Sequence, residues 1–325
     1  MFQNVLGFHL QFLTNIPKIG GRLGANVPRS RSKLAWSTAR KLDGQGMKIG
    51  IVGLGLIGGS LGLDLRSLGH RVLGVSRQER TCDIAVARGA ADEAVTDLAL
   101  LADTDAIFIC TPLAYVQTTV AQLIPHISLT TIVTDVGSVK AAIVRDITPL
   151  WRNFVGGHPM AGTAESGIEA AQHGLFAGNP YVLTPTEATP LDAIALVESI
   201  IRPLQVRLYH CQPDEHDRAV AWISHLPVMV SASLITACLS DADPASLKLA
   251  QLLASSGFRD TSRVGGGNPE LGLMMARYNR EEVLRSLRVY RETLDRMIHT
   301  IDQQDWTTLE ETLQQTQAAR TRFVD

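Results

Sequence analysis

The sequence predicts an α/β fold in which a wound, mostly parallel sheet is followed by an all-helical unit, and three observations carry that prediction. From Met47 to Arg77 the chain reads strand, glycine turn, helix, strand. The pieces are the Ile- and Val-rich run Lys48–Val52, then Gly53, Gly55 and Gly58 in G-x-G-x-x-G spacing, an apolar helical stretch through Leu68 closed by Gly69, and Arg71–Val75. Short apolar runs go on alternating with helical patterns as far as Tyr209. After about Cys211 the strand patterns cease and only helical periodicity remains. The division is an extension over residues 1–46, a Rossmann-type dinucleotide-binding domain over 47–210 and a helical domain over 211–325.

The three glycines have separate tasks. Gly53 permits the tight turn, Gly55 lets backbone approach a pyrophosphate, and Gly58 lets helix and sheet pack closely. The helix begins at Leu56 and Ile57, whose N–H groups and positive dipole end face the phosphates. An NAD site usually places a carboxylate at the tip of the second strand to accept from the ribose 2′-OH. Here the tip is Ser76 and Arg77, followed by Gln78, Arg80 and Thr81, with Glu79 the nearest acid. A guanidinium among hydroxyls suits a 2′-phosphate, so the expected cofactor is NADP, with Ser76, Arg77 and Thr81 around that phosphate.

The remaining elements follow in order. Ala85–Gly89 reads as helix and Glu93–Val95 as a short strand; Asp105–Cys110 is a buried strand ending in Thr111-Pro112, which would line the nicotinamide side. Tyr115–Ile124 is helical until Pro125, and Thr131–Thr134 is a strand leading into DVGSVK, Asp135–Lys140, and a helix. Asn153–Gly156 precedes GHPMAG, Gly157–Gly162, read as a glycine-rich turn after a strand. Tyr181–Leu183 and Arg207–Tyr209 are late strands around the amphipathic helix Leu191–Ile201. Ligands of such sheets sit beyond the carboxyl ends of the strands, which gathers Gly53–Gly58, Ser76–Arg77, Thr111–Pro112 and Asp135–Lys140 at one end. In the helical unit, Asp214–Cys238 is one long pattern that Pro227 should kink, followed by Leu247–Leu253, Pro269–Tyr278, Glu281–Thr300 and Thr307–Arg322. A stretch as apolar as Leu226, Val228, Met229, Val230, Leu234 and Ile235 buries more than one side, so a homodimer through this unit is expected.

Composition narrows the function. Residues 1–46 hold seven Lys or Arg against one acid, Asp43, within a net charge of −2, so the body of the chain is acidic. An acidic body with 5% aromatic residues offers neither the basic face nor the stacking platform of a nucleic-acid binder. No unbroken apolar run reaches the eighteen or so residues of a membrane span. Cys82, Cys110, Cys211 and Cys238 show no C-x-x-C spacing, which fits a reducing compartment. His210, Cys211, Asp214, His216 and Asp217 fit no common zinc pattern, so no metal is expected, and a loop entering a helix explains the cluster. The basic, acid-poor extension reads as an over-long start or a disordered extension, since Met47 directly precedes the first strand; a targeting segment is the alternative. The expected location is cytoplasmic, or a plastid if residues 1–46 are a transit segment.

On these residues the chain resembles the prephenate and arogenate dehydrogenases of tyrosine biosynthesis. The matching pieces are GLGLIGGSLG (Gly53–Gly62), DVGSVK (Asp135–Lys140), GGHPMAGT (Gly156–Thr163), DEHDRAVAWISHLP (Asp214–Pro227) and GFRDTSRV (Gly257–Val264), in family order. The likeness is strongest to compact NADP-dependent arogenate dehydrogenases of the cyanobacterial type. The resemblance implies oxidative decarboxylation of a cyclohexadienol, with His158 accepting a hydrogen bond from the ring hydroxyl and Ser138 bonding substrate or nicotinamide beside it. It implies Arg263 as the clamp on a substrate carboxylate, and His225, Thr163, Glu165 and Glu169 as further substrate contacts. Relatives that accept prephenate often carry an acid directly after the threonine of the HPxAGT motif and a histidine after SHLP. Here these positions are Ala164 and Val228, which tilts the expectation to arogenate, with prephenate as the alternative. A β-hydroxyacid dehydrogenase-like reductase is a further rival, but such enzymes rely on a lysine in the helical domain, and Lys248, the one lysine beyond residue 210, lies in no such motif.

Overall fold

The structure, a computed structural model, describes residues 46–163 and 165–324. The expectations for the extension and for Ala164 therefore lie outside the described residues, Gly46 apart. Eight strands form one sheet: β1 (Lys48–Val52), β2 (Arg71–Val75), β3 (Glu93–Val95), β4 (Ala106–Ile109), β5 (Ile132–Asp135), β6 (Phe154–Pro159), β7 (Pro180–Thr184) and β8 (Arg207–His210), in the order β3-β2-β1-β4-β5-β6-β7-β8. The first six are mutually parallel; β7 runs antiparallel to β6, and β8 is parallel to β7.

The strands read as unbroken apolar runs because both faces are covered. Ile49, Ile51 and Phe108 bury one face against α1 (Leu56–Ser67), α2 (Glu79–Ala87) and α5 (Leu191–Ile201). Val52, Ile107 and Ile109 bury the other against α3 (Leu113–Leu123) and α4 (Ala141–Ile147). Each such side chain, removed from water, contributes about 1.5–3 kcal/mol. The glycine turn is as tight as its spacing requires. Gly53 adopts φ +99°, and a Cβ at Gly58 would stand 2.0 Å from the Gly53 carbonyl oxygen. Gly69, at φ +86°, ends α1 as expected.

Several boundaries differ from the sequence reading. α2 begins at Glu79 rather than Ala85, because its exposed polar first turn carries no apolar period. β6 runs through Pro159, so His158 is a strand residue paired with Val182 of β7 and not part of a turn. The glycines that suggested a turn serve close strand packing instead: a Cβ at Gly157 would come within 2.7 Å of the Asp135 carbonyl oxygen, and one at Gly156 within 2.4 Å of Thr184 Oγ1.

The helical unit comprises α6 (Pro213–Val220), a π turn (Ala221–His225), α7 (Leu226–Leu239), α8 (Pro244–Leu253), α9 (Ser256–Ser262), α10 (Pro269–Tyr278), α11 (Arg280–Asp302) and α12 (Trp306–Arg320). The Pro227 irregularity takes the form of that π turn, which keeps Pro213–Leu239 one continuous rod. The rod reaches a mean hydropathy of 1.6 over 18 residues, enough by length and composition to cross a membrane. Its apolar residues do not form an unbroken run, because His225 and several serines interrupt them. Only 17% of that window is buried within one chain, and Leu239, Leu249, Leu252, Leu253 and Ile298 are each more than half exposed. Apolar surface on this scale marks a contact face.

Candidate active site

The parallel register brings the carboxyl ends of β1, β4, β5 and β6 to one edge of the sheet: Ile109 pairs with Val52 and with Asp135, and Thr134 pairs with Val155. Asp135, at the end of β5, is fully buried. Its Oδ1 accepts from the Gly157 N–H (3.1 Å), and its Oδ2 accepts from the Gly137 N–H (2.8 Å) and from Lys140 Nζ. Lys140, also without exposure, donates from Nζ to the Gly157 carbonyl at 2.7 Å. Burial pushes the Lys140 ammonium below its usual range, and the Asp135 carboxylate opposes that shift. Two charges persist in such a place only as a satisfied pair. The pair ties the loop carrying the half-buried Ser138 to β6, one residue before His158.

His158 retains 7% of its surface. Its Nδ1 lies 2.8 Å from His216 Nε2, with the rings edge to face and their centroids 5.0 Å apart. His216 Nδ1 lies 2.8 Å from Asp217 Oδ1. The Asp217 carboxylate also accepts the N–H groups of Lys140 (2.7 Å) and Ala141 (2.9 Å), the start of α4. From the other side, Asn279 Nδ2 donates to the Asp217 carbonyl (2.7 Å) and stands 3.1 Å from His225 Nδ1. Because that amide nitrogen can only donate, His225 Nδ1 accepts and Nε2 carries the proton; Nε2 is buried without a hydrogen-bond partner among the described residues. Burial holds His158 well below the ordinary histidine range, and the charges of His216, Lys140 and His225 act in the same direction. Burial brings His225 down to about 4, against the pull of Asp217. Both imidazoles are therefore neutral near pH 7.

The glycine turn fits a dinucleotide. Gly55 caps α1 with no side-chain bond, and a Cβ there would meet nothing within 4 Å, so the space above the turn is open to a ligand. The first helical bond runs from Gly59 N–H to the Gly55 carbonyl, leaving the N–H groups of Leu56, Ile57 and Gly58 to face that space. Thr111, against the Gly53 turn, keeps a buried Oγ1 with no hydrogen-bond partner among the described residues, and Pro112 beside it is exposed. At the tip of β2, Ser76 is half-buried and Arg77 exposed, its guanidinium over the ring of Tyr115. The Thr81 hydroxyl is turned to Gln78 Oε1 at 3.4 Å, within its own turn.

Other expected site residues stand apart from this cluster. Thr163 and Glu165 are exposed and bonded to each other at 3.3 Å. Glu169 is exposed on a short turn, Ile168–Ala170, whose Ile168 packs against Gly59 at the start of α1. Arg263 is exposed at the end of α9, in a loop stapled to α7 by the Gly265 N–H on Ser231 Oγ (2.8 Å). Among the described residues, no hydrogen bond or ion pair joins these four to His158. Conversely, the sequence reading gave no site role to Asp135, Lys140 or Asn279, and weighed His216 and Asp217 only as metal ligands. For the burial of His216 and Asp217 a signal existed: with Val220 they form the buried stripe of α6, positions i, i+1 and i+4 on one helical face.

Residues 61–210 match the family described as prephenate dehydrogenase, nucleotide-binding domain, and residues 212–315 match prephenate dehydrogenase, dimerization domain. The chain is 57% identical to Synechocystis arogenate dehydrogenase, with a TM-score of 0.78 over 86% of this chain and 100% of that one. It is 28% identical to the A. aeolicus prephenate dehydrogenase solved with hydroxyphenyl propionate and NAD+, with a TM-score of 0.80 over 85% of this chain and 98% of that one. It is also 29% identical to the prephenate dehydrogenase of Bacillus subtilis (strain 168) over 262 residues, 78% of this chain and 70% of the relative.

Proposed function

The chain belongs to the prephenate dehydrogenase family, and from that premise we propose that it converts L-arogenate to L-tyrosine with NADP. The family's place is tyrosine biosynthesis, and its chemistry joins a dehydrogenation to a decarboxylation. The substrate is a cyclohexadiene with a carboxylate on one ring carbon and a hydroxyl on the opposite one. The glycine turn Gly53–Gly58 would hold the cofactor, whose nicotinamide would supply the acceptor for the hydride that leaves the carbinol carbon. His158 takes the hydroxyl proton on Nε2 as the carbon–oxygen double bond forms. The dienone then loses the carboxylate as carbon dioxide, because the departing electron pair makes the ring aromatic. That pair ends on the former carbonyl oxygen, which recovers the proton from His158. Ser138 orients the hydroxyl, the His225 Nε2–H and Arg263 hold carboxylates, and Thr163 edges the pocket. Two copies associate through the exposed apolar helices of the dimerisation domain.

The observation that carries this reading is a buried, neutral His158 at the same sheet edge as an open glycine turn. The choice of NADP is supported by Arg77 at the tip of β2, and the choice of arogenate by the 57% identity to the Synechocystis enzyme. Prephenate is the second reading, favoured by the A. aeolicus and B. subtilis relatives. Product analysis tests the proposal: incubation with arogenate and NADP should yield tyrosine, carbon dioxide and NADPH in equal amounts. NADPH without tyrosine would refute it.

A further inference from the structure

We propose that His216 and Asp217 are positioning residues of this reaction, fixing the tautomer of His158 so that its Nε2 is the proton acceptor. The inference rests on the reading of His158 as the acceptor. A carboxylate only accepts, so in the neutral form of His216 the ring proton sits on Nδ1, 2.8 Å from Asp217 Oδ1. His216 Nε2 is then a bare lone pair, and His158 Nδ1, 2.8 Å away, must be the donor between them. A neutral imidazole has one proton, so His158 Nε2 is left bare and basic. The opposite tautomer would present a hydrogen to the substrate hydroxyl and accept nothing. His158, His216 and Asp217 are 7%, 2% and 3% exposed, so water offers little competition for these bonds.

The charged groups around His158 come from three elements and the loop before α4. Asp217 and His216 stand on α6, Lys140 precedes α4, Asp135 ends β5 and His225 closes the π turn. Lys140 is matched by Asp135, which leaves the Asp217 carboxylate, held by the first N–H groups of α4, as the net charge of the cluster. When the hydroxyl proton arrives on His158 Nε2, the Nδ1–H bond to His216 becomes charge-assisted, and the carboxylate behind it offsets the new positive charge. The proton leaves again to the product oxygen, so the two residues act through His158 and touch no reacting atom.

The test compares His216→Gln with His216→Met. Both keep an unbranched side chain of similar length, but only Gln places an acceptor oxygen near the position of Nε2. Met should lower kcat by about 10²-fold while substrate KM and NADP affinity stay within about twofold; Gln should recover most of that loss. The acid limb of the kcat–pH profile should move to lower pH in the Met variant, because the imidazolium loses its acceptor, and return in the Gln variant. Equal losses in the two variants, or near-normal kcat in Met, would overturn the proposal. His158→Asn in the same assay separates the two claims. If it lowers kcat by about 10²-fold or more while His216→Met leaves kcat near normal, the positioning role alone fails; if it is harmless, the reading of His158 fails. Nitrogen NMR of the unmodified protein with labelled histidine decides the matter without any variant that must fold: both His158 and His216 should be protonated at Nδ1, and protonation at Nε2 in either would contradict the proposal.

Discussion

The guanidinium of Arg77 lies over the ring of Tyr115, 5.2 Å from its centroid, and so joins the tip of β2 to α3. Such a contact at a partly exposed site contributes about 0.5–1 kcal/mol and reduces the freedom of a side chain that would otherwise roam in solvent. If the cofactor is NADP, as proposed, this contact holds the charge ready for the 2′-phosphate. Arg77→Ala should weaken NADP binding by about 1.5–3 kcal/mol, the worth of charged hydrogen bonds, and change NAD binding little. Fluorescence titration with both cofactors measures this. Equal losses for the two would remove Arg77 from phosphate recognition.

For the chemical step, His158→Asn should keep the fold and the cofactor affinity and lower kcat by about 10²–10⁴. Arg263→Ala should mainly raise substrate KM, because a carboxylate clamp holds ground and transition states alike. An unchanged KM would mean that another group holds the carboxylate, a live question for a side chain that is exposed in the single chain.

How much of this was legible in the sequence depended on the kind of signal. The glycine turn, α5 and α10 were legible because local rules write them: fixed glycine spacing, an amphipathic stripe, and a proline at the start of a helix. The π turn was legible only as an irregularity at Pro227. His158 was legible as a residue, but its place in β6 was not, because two glycines that look like a turn are there to let β5 and β7 close in on β6. The Asp135–Lys140 pair was not legible, and helical spacing could mark His216 and Asp217 as buried but not show what they support. Each takes its meaning from a partner across the fold: Gly157 is 17 residues from Lys140, and His216 is 58 residues from His158. Spacing along one element carries no record of such contacts.

Stability should depend on pH in a definite direction. Burial holds His225 at about 4 against an ordinary 6.5, and His158 shifts the same way. Between those values the unfolded chain binds protons that the folded chain refuses, so stability rises with pH across the window and falls on acidification from about 6.5 toward 4. The urea midpoint should drop between about pH 7 and pH 5, and His225→Gln should make the drop shallower. A midpoint that rises on acidification would contradict the neutral buried histidines.

Removing one member of the buried pair should be far worse than its surface counterpart. Lys140→Met leaves the Asp135 carboxylate without its cation in a fully buried site, which should cost about 3–5 kcal/mol of stability by urea denaturation. Arg145→Met, which removes an exposed pair with Asp146, should cost less than about 1 kcal/mol. Similar small losses in both variants would show that the Asp135–Lys140 pair does not anchor the sheet edge.

Substrate choice separates the proposed activity from that of the prephenate-using relatives. Arogenate and prephenate differ in one side chain, an ammonium in the first and a keto group in the second. A site that prefers arogenate offers the ammonium an acceptor, for which Glu165 and Glu169 are the candidates in the segment after His158. An acceptor left unpaired by prephenate costs about 1–3 kcal/mol. The most direct measurement is kcat/KM for the two substrates at saturating NADP. The account predicts that arogenate exceeds prephenate by at least about tenfold, equivalent to about 1.4 kcal/mol, and that neutralising the responsible glutamate narrows the gap. Equal values, or a preference for prephenate, would contradict it.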